Sequence, residues 1–114
     1  MQILHLAEEG HWKEAQSSGE YCCSTRGASL DEVGFIHAST SSQLPTIAEA
    51  LYSGVDQLVV LVMDDDAIRS TGIPVRYEDG GDGELYPHIY GSIRPDMVQA
   101  VLPGRFDQDG RFAF

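Results

Sequence analysis

Basic residues are scarce in this chain: seven Lys and Arg stand against 18 Asp and Glu, a formal net charge of −11 at pH 7. The shortage excludes the clustered cations that a long nucleic acid or an anionic membrane surface would need. A nucleotide ligand is not excluded, because one Arg or a ring of backbone N–H groups can hold a pyrophosphate. Long apolar runs are missing too. The longest, "LVVLVM" at Leu58 to Met63, is far below the roughly 20 residues of a membrane span. Cysteine is limited to Cys22 and Cys23, adjacent and therefore ill placed to bridge each other, with no C-x-x-C spacing. They read as free thiols in a reducing compartment. The opening "MQILHLAEEG" lacks the basic and long apolar regions of a secretion signal, so the expected location is the cytoplasm. Repeats and low-complexity tracts are also lacking, and 114 residues predict one domain, 1–114, around one core.

What is present is a series of short periodic segments separated by Gly and Pro. "QILHLA" alternates like a strand, with Ile3, His5 and Ala7 on one face and Leu4 and Leu6 on the other. "EEGHWKEAQSSG" predicts a short helix that turns Trp12 and Ala15 inward and stops at Gly19. In the next helix, over 40–54, Leu44, Ile47, Ala48 and Leu51 share one predicted buried face. Thr40, Ser41 or Ser42 could cap it. "QLVVLVM" carries β-branched residues on both faces, which predicts a central strand. "IPVRYE", "ELYPHIYG", "MVQAVLPG" and "GRFAF" add short strands. Pro87 argues that the second of these lies at an edge or is irregular. The expected class is α+β, with small mixed or antiparallel sheets and about two helices.

Three of these strands carry a histidine beside apolar neighbours: "ILHLA", "GFIHAST" and "YPHIY". Alternation turns His5 away from Leu4 and Leu6, and His37 away from Ile36 and Ala38. It also places Glu84, Tyr86, His88 and Tyr90 on one face. Two readings follow. Each histidine could be a buried residue with its own local hydrogen bond. Alternatively the strands bring His5, His37, Ser39, Glu84, His88 and Tyr90 to one cleft. His11, beside Trp12, reads as a surface residue.

The chemistry of such a cleft is narrowed by what the spacing does not offer. Three His and a Glu could ligate a metal, but neither H-E-x-x-H nor H-x-H occurs, so no metal site is assigned. "HAST" has no G-x-S-x-G elbow, "DGGDGEL" lacks the Lys of a P-loop, and nothing near Cys22 or Cys23 activates a thiolate.

"GFIHAST", "QLPTIAEALYSGVDQLVVLVMD" and "GELYPHIYG", with the opening "ILHLAEEGHWKEAQSSGEY", resemble the family called domain of unknown function 952. The likeness runs from about Ile3 to Leu102. It implies a fold similar to the ADP-ribosylation fold, two small sheets around a cleft that binds NAD or a related nucleotide. On that resemblance Glu84 and His37 would be catalytic, in transfer or hydrolysis of ADP-ribose. His5, Ser39, Thr40, Tyr86, His88, Tyr90 and Arg94 would bind the ligand, with a tyrosine on the nicotinamide and Arg94 on a phosphate. Two alternatives stay open: a non-catalytic small-ligand module using the same cleft, and a protein-interaction domain whose histidines are structural.

Overall fold

The computed structural model describes residues 1–114. A first strand, β1 (Gln2–Glu8), runs into helix α1 (Glu9–Ser18). That helix buries Trp12 and Ala15 and ends on Gly19, at φ 88°, a left-handed conformation that glycine adopts without strain. A hairpin follows, β2 (Cys23–Thr25) with β3 (Ala28–Ser29). Helix α2 (Leu30–Val33) is a single turn closed by a capping box between Ser29 and Glu32. Next come β4 (Ile36–His37), α3 (Leu44–Leu51), β5 (Leu58–Asp64), α4 (Asp65–Ser70), β6 (Val75–Asp79) and β7 (Leu85–Ile89). A 3₁₀ turn at Pro95–Met97, β8 (Ala100–Phe106) and β9 (Phe112–Ala113) complete the chain. The α+β class holds, but there are four α-helices rather than two. α2 and α4 are too short for hydrophobic periodicity to reveal them, and each is specified by a side-chain cap, Ser29 and Asp64.

One sheet has the order β1-β5-β8-β9 and the other β4-β7-β6, with every pairing antiparallel. β5 is central, as its two apolar faces require. One apolar cluster, including Ile3, Ala7, Trp12, Leu61, Met63 and Ile89, joins the two sheets and α1. Leu4, Leu6, Leu44, Ala48, Leu58 and Val60 pack on the other side of β1 and β5, beneath α3.

Two expectations need correction. β7 is the middle strand of its sheet, not an edge. Pro87 is tolerated because its carbonyl accepts from Ala38 N–H at 2.9 Å, on the side where β4 ends. Within an antiparallel strand a residue's N–H and C=O point the same way, so the missing donor faces that end rather than the full pairing with β6. In α3, Leu44 and Ala48 are buried, whereas Ile47 is half-buried and Leu51 is 44% exposed. The helix has about two turns, and its Ile47 and Leu51 side forms the wall of a groove instead of core.

The segment "GFIHAS" joins the two sheets. Ile36 and His37 pair with Ile89 and His88, and two residues later Ser39 exchanges backbone hydrogen bonds with Leu4 at 2.7 and 2.8 Å. His37 therefore sits where the sheets meet.

Candidate functional site

Register explains which side chains share the outer face of the β4-β7-β6 sheet. His37 lies opposite His88, and β6 sets Arg76 opposite His88 and Glu78 opposite Tyr86. Directly paired residues project to the same face, and the contacts agree. The His37 ring lies 5.5 Å from that of His88 and 5.2 Å from that of Tyr86. Phe35 stacks on His88 with centroids 3.9 Å apart.

His88 is held tightly. Its Nδ1–H donates to Glu78 Oε1 at 2.8 Å, and the Tyr90 hydroxyl donates to the same oxygen. The two donors, Tyr90 first and then His88, hold the Glu78 carboxyl below its usual range. Arg76 lies over the Tyr90 ring at 5.0 Å.

His5 behaves differently from the cleft expectation. Its face of β1 packs into the core between the sheets, and the residue is only 2% exposed. A carbonyl can only accept, so Nδ1, 2.6 Å from His37 O, must carry the proton. Nε2 is then a lone pair that accepts from the Tyr21 hydroxyl at 2.9 Å. Burial pushes the pKa down to about 4, so the ring is neutral at pH 7. His5 is thus a satisfied core histidine, and its role is to anchor the backbone of His37.

His37 is the contrast. Burial first, and the neighbouring His88 second, lower its pKa to about 4. Its Nε2 is buried and has no hydrogen-bond partner. The ring lines a groove of about 250 Å³ with Thr25, Ile47, Ala50, Leu51, Gly80, Asp82 and Tyr86. Tyr86, at the base, donates its hydroxyl to Asp82 Oδ2. That bond pushes the Tyr86 pKa up to about 12 and holds the Asp82 carboxyl down. A built-in Cβ on Gly80 would stand 2.4 Å from Cδ1 and Cε1 of Tyr86, so only glycine lets the turn close over that ring.

The remaining expected residues fall around or away from this groove. Glu84 is exposed in the turn before β7, with Oε1 3.5 Å from Gln43 Nε2. Ser39 is buried under the sheet junction, beside His37 in a small adjoining cavity. Thr40 donates its N–H to Gln43 Oε1 and its hydroxyl meets Ser42, so it shapes the entry to α3. Tyr90 reaches Glu78. Arg94 lies in a separate depression with Ala67, Thr71 and Asp96, and its guanidinium is 3.3 Å from Asp96. Asp82, Glu78, Phe35 and Thr25 were missed. Alternation in "IPVRYE" combined with a hairpin at "DGGDG" would have found Glu78 on the His88 face.

The family model described as "Protein of unknown function (DUF952)" matches residues 6–101. The chain belongs to this family. The crystal structure of CC0527 from Caulobacter crescentus, a structural-genomics target, is similar to this DUF952 domain with a TM-score of 0.86 and 23% identity. The likeness covers 99% of this chain and 94% of that one. The solution structure of CC0527 gives a TM-score of 0.77 at 23% identity, covering 96% and 90% of the two chains. These likenesses establish the fold. No protein with a curated description matches.

Proposed function

We propose that the groove over His37 and Tyr86 binds the cationic nicotinamide end of NAD or a related nucleotide, and that it supports transfer or hydrolysis of ADP-ribose. The observation that carries this reading is the lining: a neutral imidazole, His37, beside an ionised carboxylate, Asp82, and a phenol hydrogen-bonded to it. A positively charged ring is the ligand such a surface favours, through the Asp82 carboxylate, with the Tyr86 ring, 1% exposed, backing the groove. The volume fits one ring with its sugar, leaving the rest of a dinucleotide outside the groove. Breaking the nicotinamide–ribose bond develops positive charge on the sugar, as in glycoside cleavage. Carboxylates at Asp82 and Glu84 would favour that state over the ground state, while the bonding pair leaves with nicotinamide and the acceptor oxygen or nitrogen gives up its proton to the Glu84 carboxylate or to water.

The test is an NMR titration with NAD, NADH and ADP-ribose. NAD should shift His37 and Tyr86 more than NADH, whose ring is neutral, and Asp82→Asn should erase that preference. Equal or absent shifts at millimolar concentrations overturn the reading. Glu84→Gln then separates catalysis from binding, and loss of turnover with binding retained supports the enzyme.

One observation favours the binding-only alternative. The Glu84 carboxylate stands exposed in a turn with a single distant amide beside it, little constrained for catalysis. On that alternative Glu84→Gln leaves binding intact and His37→Ala weakens it.

A further inference from the structure

Beneath the groove, sharing Thr25, His37, Ile47 and Leu51 with it, lies a second and much smaller space of about 10 Å³. Its walls are mostly apolar, Leu4, Leu6 and Leu44 among them. Two buried side-chain polar atoms of the protein have no hydrogen-bond partner, Ser24 Oγ and His37 Nε2, and both residues line this cavity. Ser24 is 1% exposed and comes from β2, an element outside both main sheets. Buried donors are almost always satisfied, and an orphaned N–H is rarer than an under-used acceptor. A cavity of this size holds one water when it offers two or more polar partners, and the buried Ser39 adds a further polar residue to the lining.

We propose that one ordered water bridges Ser24 Oγ and His37 Nε2, and that Ser24 is thereby a positioning residue that keeps the proton of His37 on Nε2. The solvent side of the ring serves either tautomer, and a buried water, which donates as readily as it accepts, permits the proton on Nε2 that a neutral histidine ring favours in water. With the bridge in place Nε2–H donates inward, and Nδ1 offers its lone pair outward. Without the bridge a proton on Nε2 would be an orphan, and it moves to Nδ1. The β2–β3 hairpin thus sets whether His37 meets a ligand as acceptor or donor, whatever that ligand is.

The isosteric pair Ser24→Thr and Ser24→Val tests this, because only the hydroxyl differs. In long-range proton–nitrogen NMR spectra, the wild type and Ser24→Thr should show His37 as the Nε2–H tautomer, with a magnetisation-transfer contact to a bound water. Ser24→Val should lose that contact and shift the population to Nδ1–H. The His5 signals, held by Tyr21 and the His37 carbonyl, report that the fold survives; if either variant does not fold, Ser24→Ala is compared with the wild type, which again differ by the hydroxyl. Identical tautomers in Thr and Val, or an atomic-resolution crystal structure with a dry cavity, overturn the proposal.

Discussion

His5 Nδ1 donates to the backbone carbonyl of His37 at 2.6 Å, so one histidine of the chain fixes the position of another. The first ring is sealed in the core and the second lines the groove. Sequence gives them the same appearance, a histidine between apolar residues, yet one is sealed from solvent and the other is half-buried at the edge of a groove.

The Tyr21–His5 bond should matter for stability. Tyr21→Phe removes the hydroxyl that donates to Nε2 and leaves a buried acceptor without a donor. A loss of about 1–3 kcal/mol is expected, read as a lower urea midpoint with an unchanged slope.

Acid should weaken the fold through both rings. His5 and His37 have pKa values lowered from 6.5 to about 4 in the folded protein. Between those values the unfolded chain binds more protons than the native one, so stability falls as pH falls from 6.5 toward 4. Each histidine contributes up to about 1.4 kcal/mol per pH unit. Urea unfolding at several pH values should show this slope, and His37→Gln should remove about one proton from it. A flat profile between pH 7 and 5 would contradict it.

Glu78 offers a local readout of the outer face. Its carboxyl is held low mainly by the Tyr90 hydroxyl and then by His88. Tyr90→Phe should move its titration upward, toward the ordinary carboxylate range, in a carbon-detected NMR titration. The sign follows because the lost bond favoured the charged form.

Gly80→Ala should damage the groove without touching a polar group. The new Cβ would meet the Tyr86 ring at 2.4 Å, and overpacking of this kind costs about 1–3 kcal/mol. Shifted Tyr86 and His37 resonances, with a lowered urea midpoint, are the expected result.

Much of the fold was legible in the chain because strands and helices bury one face at a fixed period. The inward turn of Trp12 and Ala15, the central place of "LVVLVM" and the grouping of Tyr86, His88 and Tyr90 all follow from that. Other features depend on partners distant in sequence. Pro87 could sit mid-sheet only because β4 stops beside it. Leu51 faces a groove because α3 is short and the 79–84 turn stands opposite. Alternation correctly put His5 on the face of Ile3 and Ala7, but only the packing of the second sheet and Tyr21 made that face core. Periodicity, then, determined which residues travel together on a face. Tertiary structure decided what each face meets, because burial and hydrogen-bond satisfaction are properties of the neighbours that arrive there.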